Sequence, residues 1–273
     1  MIENDLVGHD YVEPYAGGAS VALTLLYEGY ADRAFINDLN PGIHAFWSSA
    51  LTQTDALCDL IEKTPVTVDV WQEQRKVIAS PEAEGLDLAF ATFFLNRTNR
   101  SGIIAGGVIG GLDQTGAWKI DARYNKDALI QRIRKIGRHR SRVSLSNEDA
   151  VEYVKTWQDP VIDPAFLYLD PPYFDKGERL YDNFYDASDH AEIAEAVEAL
   201  AHPWIVSYDA TPEITKLYPD AMMIRYGLTY SAANKRAQGA EIMFFSDGLT
   251  VPEQMPAGIT PKQVDTAKRL ALA

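Results

Sequence analysis

A chain of 273 residues with 47% hydrophobic and 23% charged content suits one large domain, or one domain carrying an insertion. Its single cysteine, Cys58, excludes an internal disulfide framework and a cysteine-built zinc site. The net charge of −14, taken alone, argues weakly against nucleic acid, whose phosphates repel an acidic surface. No uncharged apolar run is long enough to span a bilayer, and the acidic start MIENDLVGHD lacks the apolar core of a signal peptide, so a cytoplasmic protein is expected.

In chain order, "HDYVEPYAGGASVALTLLYEGY" reads as a strand from about Tyr11 to Pro14, a Gly-Gly turn and a helix from about Ala19. Gly17 and Gly18 let a ligand approach the backbone, and the helix start offers unpaired amides. "RAFINDLNP" is a second strand ending at Asp38, twenty residues after Gly18, where a nucleotide-binding fold places its ribose acid. The G-x-G-x-x-G spacing is absent, and for the glycine pair alone a tight βα turn is an equal reading; with Asp38 added, a ribose-bearing cofactor is favoured.

Helical patterns follow through Ala45, Phe46 and Trp47, then "ALCDLIEK", "DVWQEQRKVIA" and "LDLAFATFFLNRT". Ser101 to Lys119 is glycine-rich and lacks a helical period, so an irregular or hairpin excursion is expected. "NKDALIQRIRKIGRHRSR" is a basic amphipathic helix with Leu129, Ile130, Ile133 and Ile136 on its apolar face. From Arg97 to Arg142 eleven Lys and Arg meet three Asp, a net of +8 that leaves −22 on the remainder. A basic island in an acidic body suits contact with a polyanion on one face.

Asn96, Arg97, Asn99, Arg100 and Ser101 are therefore candidates for phosphate or base-edge contacts, against the plainer reading of a polar helix terminus. Lys119 and Arg123 join that set. Arg132, Arg134, Lys135, Arg138, Arg140 and Arg142 fit phosphate contacts or a solvated helix face. Trp118 and Tyr124 are candidates to wedge or stack in a duplex, with core packing equally expected for each.

Strands recur at "RVSLSN", "AFLYLD", "WIVSYD", "AMMIRY" and "EIMFFS", separated in several places by helical segments such as "HAEIAEAVEAL". That alternation implies a mostly parallel sheet with helices on both faces. Asn147, Glu148 and Asp149 are candidates for an adenine contact or a helix cap. The five histidines, His9, His44, His139, His190 and His202, have no metal-ligand spacing, and no metal is expected. The tail after Gly248 reads as a loose end.

"LYLDPPYFD", residues 167–175, carries the chemistry. Prolines cannot continue a central ladder, so Asp170-Pro171-Pro172-Tyr173 is a rigid loop at a strand's carboxyl end, where open α/β sheets bind ligands. An exocyclic amine on an aromatic base is a poor nucleophile because its lone pair is delocalised into the ring. A site that activates it must accept hydrogen bonds from both N–H groups. Asp170 and the carbonyl of Pro171 fit those roles, and Tyr173 fits stacking on a base turned out of its helix. The plainer alternative is a surface Pro-Pro turn. Tyr181 to His190 would close over such a base, Ser207, Tyr208 and Asp209 would line its pocket, and Lys235 and Arg236 would touch nucleic acid. Cys58, in a helical setting, reads as a core residue rather than a nucleophile.

Taken together, "EPYAGGAS", "INDLN", "FFLNRTNRSGI", "YLDPPY" and "EIMFFS" resemble the Dam-like, alpha-ordered DNA adenine-N6 methyltransferases, from about Tyr11 to Ser246. The resemblance implies S-adenosyl-L-methionine as cofactor and double-stranded DNA as partner, with in-line methyl transfer to a flipped-out adenine. It implies a Rossmann-like class I methyltransferase fold, α/β, with a mostly parallel seven-stranded sheet, a reversed strand ("EIMFFS") and an inserted target-recognition region. The expected cofactor set is Glu13, Pro14, Tyr15, Gly17, Gly18, Ser20, Asp38, Asn147, Asp149 and Asp170. The expected organisation is a catalytic domain over 1–95 and 143–250, a target-recognition insert over 96–142 and a tail over 251–273. The family usually carries an aromatic residue and Gly-Gly-Lys ahead of the Glu-Pro-Tyr strand; none of the ten residues before Tyr11 matches it. The alternatives are an enzyme acting on RNA adenine or another planar amine or amide, a DNA-binding remnant with weakened cofactor affinity and, more distantly, an NAD-dependent oxidoreductase. A monomer is expected.

Overall fold

The computed structural model describes residues 1–159, 164–174, 185–230, 237–251 and 266–267. Its elements in chain order are β1 (Asp10–Glu13), α1 (Ser20–Tyr27), β2 (Ala34–Asn37), α2 (Pro41–Thr52), α3 (Thr54–Lys63), α4 (Val68–Ala79), α5 (Gly85–Thr98) and α6 (Lys126–Arg138). There follow β3 (Val143–Ser146), α7 (Ala150–Lys155), β4 (Ala165–Leu169), α8 (Ala187–Glu198), β5 (Trp204–Asp209), α9 (Pro212–Leu217), β6 (Met222–Tyr230), β7 (Ala237–Phe245) and β8 (Thr266–Ala267). The chain forms two compact units, Met1–Asp38 with Glu148–Ala273, and Leu39–Asn147.

The first unit is built on a sheet with strand order β2-β1-β4-β5-β7-β6-β8. β2, β1, β4 and β5 run parallel, while β7 is antiparallel to both β5 and β6. "EIMFFS" is therefore the reversed strand, set between two neighbours. The short strand β8 pairs with Met223 and Ile224 of β6, so part of the expected loose tail is tied to the sheet. All four residues of β1 are buried, as a strand covered on both faces requires. Asp10 is tolerated there because the Arg33 guanidinium reaches both of its oxygens, at 3.0 and 2.5 Å. Val12, Leu167, Leu169, Val206, Ile242 and Phe244 of the central strands pack with Val154, Trp157, Ile193 and Val197 in one core. This core fixes the strand ends from which the Asp170-Pro171-Pro172-Tyr173 loop projects.

The second unit is helical apart from β3. Asn40 caps α2, its Oδ1 accepting from the amides of Gly42 and Ile43 at 2.9 and 3.2 Å. Trp47, Ala50, Leu57, Ile61, Phe90, Phe94 and Leu95 are buried in this unit, and Leu129, Ile130, Ile133 and Ile136 are the buried face of α6, as its period dictates. Gly137 lets α6 pack tightly on α3: a Cβ there would stand 2.3 Å from the Thr54 hydroxyl oxygen. Cys58 is a buried core residue. The unit starts at Leu39, so α2 to α5 fold together with the 96–142 stretch.

The segment after α5 is irregular, with a single bridge between Asn99 and Val108. Asn99, a candidate nucleic-acid contact by sequence, is fully buried. Its Oδ1 accepts from the Trp71 indole at 2.6 Å, and its Nδ2 donates to the carbonyls of Ile103 and Ile104 at 2.9 and 2.8 Å. It is a structural brace that ties α4 to the glycine-rich segment. Asn99→Ala would orphan the indole donor and two carbonyls, so a loss of roughly 3 kcal/mol in urea unfolding is expected. Tyr124 is also core: it packs against Phe93 and Phe94 with centroids 5.7 and 5.4 Å apart, so it does not act as a wedge. Trp118 is 75% exposed.

Candidate active site

The site is assembled in the first unit at the carboxyl ends of β1, β2, β4 and β5. After β1 the chain turns through Gly17 at φ +46 and Ala19 at φ +42, both left-handed, before α1 begins. Glycine adopts that region without strain; Ala19 holds it against a steric cost, as turns that grip ligands often do. A Cβ on either Gly17 or Gly18 would meet nothing within 4 Å, so the backbone is open to a ligand along this edge. Ala19 contributes no side-chain cap to α1, and of the first-turn amides that of Ala22 is taken by Glu13. Ser20 is exposed at the first helical position, and Pro14 is buried.

Asp38 closes the turn, its Oδ2 accepting from the Gly17 amide at 2.8 Å. The buried Asn37 next to it is a positioning residue that the sequence did not single out. Its Nδ2 donates to the carbonyls of Pro14 and Glu148 at 3.1 and 3.0 Å, and its Oδ1 accepts from the Glu148 amide at 2.9 Å. It thereby fixes the loop after β1 against the start of α7. Asp149 caps α7, its Oδ1 accepting from Val151 and Glu152 at 2.9 and 3.3 Å. Asn147 belongs to the second unit and donates to the Leu39 carbonyl at 3.1 Å.

Glu13 is buried beneath the turn and accepts from the Ala22 amide at 3.2 Å. Burial pushes its carboxyl from 4.5 up to about 8; the Ala22 hydrogen bond opposes the shift and the Asp170 charge adds to it. Between about 4.5 and about 8 the folded protein keeps a proton that the unfolded chain has released, so stability falls as pH rises through that window. Glu13→Gln is expected to remove this slope, read as urea midpoints from about pH 5 to about pH 9.

Asp170 follows β4 directly, with Pro171 and Pro172 buried behind it. Its Oδ1 accepts from the Ser207 hydroxyl at 2.8 Å, and Ser207 also meets the Tyr168 hydroxyl at 2.9 Å. Asp170 opens to solvent at the mouth of the site, yet the protein packed around it raises its pKa. The Ser207 hydrogen bond opposes this, and the Glu241 charge adds to it. Tyr173 donates to Glu241 Oε1 at 3.1 Å, and the Phe174 amide donates to Asp209 Oδ1 at 2.9 Å. Ser207 and Asp209 thus hold the loop in place. Tyr208 is fully buried, its hydroxyl 3.2 Å from His190 Nδ1. Tyr15 meets Tyr185 through their hydroxyls at 2.9 Å, beside the ring cluster of Phe174, Tyr185, His190 and Tyr208. Tyr181 to Phe184, Lys235 and Arg236 lie outside the described residues.

The donor set selects a cofactor. Asp38 and Asp170 stand at an open glycine turn, an environment that disfavours a pyrophosphate and suits a ligand bearing cationic groups and ribose hydroxyls. A parallel sheet with one reversed strand, a glycine turn after β1 and a proline-bound acid after β4 define an S-adenosyl-L-methionine-dependent methyltransferase.

The chain belongs to the D12 class N6 adenine-specific DNA methyltransferase family, whose model matches residues 1–232. No curated protein matches it. Among solved structures it is similar to a conserved hypothetical protein of Streptococcus pyogenes at 12% identity, covering 87% of this chain and 86% of that one, with a TM-score of 0.33. It is also similar to M. capricolum TrmK in complex with S-adenosyl-homocysteine, at 9% identity over 90% of this chain and 69% of that one, TM-score 0.38. A third is the rRNA methyltransferase AviRa from Streptomyces viridochromogenes, at 12% identity over 88% and 77%, TM-score 0.38.

The remaining candidates lie in the second unit. Arg97 is half-buried, and its Nε donates to Asn96 Oδ1 at 2.9 Å, while Arg123 donates through Nη2 to the Asn96 carbonyl. Asn96 Nδ2 in turn donates to the Gly102 carbonyl at 2.9 Å. Burial, then the charges of Arg123 and Arg132, hold the Arg97 guanidinium below its ordinary pKa. Arg100, Ser101, Arg132, Arg134, Lys135, Arg138 and Arg140 are exposed, whereas Arg142 is partly buried. Lys119 donates to the carbonyls of Gln114 and Gly116 at 2.7 and 3.0 Å. Among the described residues no three His, Cys, Asp or Glu side chains are grouped to hold a metal ion, and no helix is long and apolar enough to cross a membrane.

Proposed function

We propose that the protein methylates N6 of a flipped-out adenine at specific sites in double-stranded DNA. The observation that carries this reading is the loop after β4, in which an acid held at one oxygen by Ser207 stands directly before two buried prolines. When bound, S-adenosyl-L-methionine supplies an electrophilic methyl group. Asp170 accepts one N6–H and the Pro171 carbonyl the other, drawing the nitrogen lone pair out of the ring. Transfer would exchange the cofactor's sulfur–methyl bond for an N6–methyl bond, and Asp170 would take the proton that N6 gives up. Tyr173 stacks on the extruded base.

Target recognition belongs, in this reading, to residues 96–142. Arg97, Arg123 and Arg132 form a group of cations whose mutual repulsion a phosphate would relieve. Asn96, Arg100, Ser101, Lys119 and Arg134 surround that role; Asn99 supports them from the core. The test is transfer of labelled methyl from S-adenosyl-L-methionine to mixed-sequence duplex DNA and, separately, to RNA, followed by digestion to nucleosides. Label on N6 of deoxyadenosine is the expected result. Label only on RNA adenine, or on another base, would overturn it.

A further inference from the structure

The catalytic loop has no ladder of its own, so something else must fix the tyrosine ring on which the base is to stack. Glu241 lies on the reversed strand β7, directly opposite Asp209 of β5 and Tyr226 of β6. Residues opposite each other in antiparallel pairs project to the same face, and Ser207 shares that face with Asp209 two residues away. One face of the sheet therefore grips the loop at three successive places. Ser207 holds Asp170, Glu241 holds Tyr173 and Asp209 holds the Phe174 amide.

Glu241 is the unusual member. It is only 7% exposed, and both of its oxygens accept from phenols: Oε1 from Tyr173 at 3.1 Å and Oε2 from Tyr226 at 2.9 Å. A buried carboxylate is costly unless its lone pairs are used, and here two charge-assisted bonds use them. Tyr226 is itself buried, so it anchors the carboxylate from β6 while Tyr173 remains partly accessible at the loop.

We propose that Glu241 is a positioning residue for methyl transfer: braced by Tyr226, it locks the Tyr173 ring at the pose that receives the target base. This rests on the assignment of Asp170 to Tyr173 as the methyl-transfer loop. Glu241 does not touch the reacting atoms; it acts through Tyr173. Loss of the lock leaves the ring in place to bind but lets it wander, and small misplacements at a reacting centre slow the chemical step more than they weaken binding.

The test is a double-mutant cycle between Tyr173→Phe and Glu241→Gln, read by single-turnover methyl transfer to duplex DNA bearing the site that the wild-type protein methylates. Each single variant is expected to slow transfer about tenfold, and the double variant no more than the slower single, because both remove the same contact. Cofactor dissociation constants should stay within about twofold of wild type. Transfer rates unchanged in both singles, or losses that multiply in the double, would overturn the proposal. Should Glu241→Gln unfold, Tyr173→Phe alone decides, since it keeps the ring and deletes only the hydroxyl: slower transfer supports the lock and an unchanged rate overturns it. Wild-type protein that puts no label on adenine N6 would instead bring down the underlying assignment.

Discussion

Asp170→Asn is expected to lower single-turnover methyl transfer by about 1,000-fold while leaving S-adenosyl-L-methionine affinity within a few fold. The substitution is nearly isosteric, and Ser207 keeps an oxygen acceptor at the position where it now donates to Oδ1. What changes is the other end of the side chain. In the wild type nothing among the described residues donates to Oδ2 of Asp170, which suits an acceptor facing the N6–H of the base. Asparagine presents an N–H there, donor against donor, and it cannot take a proton. The protein packed around Asp170 raises its folded-state pKa although the residue opens to solvent, so the ionised carboxylate is disfavoured in the fold. Stability contributed by the protonated form is present below the unfolded pKa and lost as pH rises through the folded value, so near pH 7 the neutral variant should melt no lower than wild type. The same raised pKa puts the acid limb of the wild-type rate profile above the ordinary carboxylate range. Variant turnover within tenfold of wild type, measured with intact cofactor binding, would remove Asp170 from the chemistry.

Legibility in the sequence followed a physical divide. Glycine and proline carry their conformational properties in their own covalent structure, so Gly17–Gly18 and Pro171–Pro172 pointed to the two ends of the candidate site without any tertiary information. The apolar period of α6 was equally local, and its four aliphatic residues are buried together. Asn99 misled because a polar residue at a helix end is normally solvated; here the Trp71 indole, twenty-eight residues away, draws it into the core. Glu241 offered no local signal at all. It reads as a polar residue in a strand, and its meaning depends on Tyr173, sixty-eight residues earlier, and on a strand order that brings β7 between β5 and β6. Asn37 is similar, since its partners at Pro14 and Glu148 lie far apart in the chain. The second unit's start at Leu39 was also unreadable, because the helical pattern continues across residues 41–98 and composition shifts only near Arg97.

Paired replacement of Arg97 and Arg132 by glutamine is the second large effect expected, this time on binding. Burial, then the charges of Arg123 and Arg132, lower the pKa of the half-buried Arg97, which donates to the neutral Asn96 amide oxygen. Like charges gathered on neutral acceptors are held at a cost to the free protein, one that a phosphate would turn into attraction. Each phosphate contact contributes about −0.9 to the slope of log affinity against log salt, so losing two should flatten that slope by about 1.8 and weaken duplex binding roughly 10- to 100-fold near 0.1 M salt. Folding should move the other way. Glutamine keeps the stem and a polar head, and removing the repulsion leaves the melting temperature unchanged or higher. A structural role for these arginines predicts the reverse pair of results, a lower melting temperature and an unchanged salt slope. Filter binding or anisotropy across a salt series, beside a thermal melt of the same variant, separates the two, and an unaltered slope in a stable variant would place the duplex on other residues of this unit.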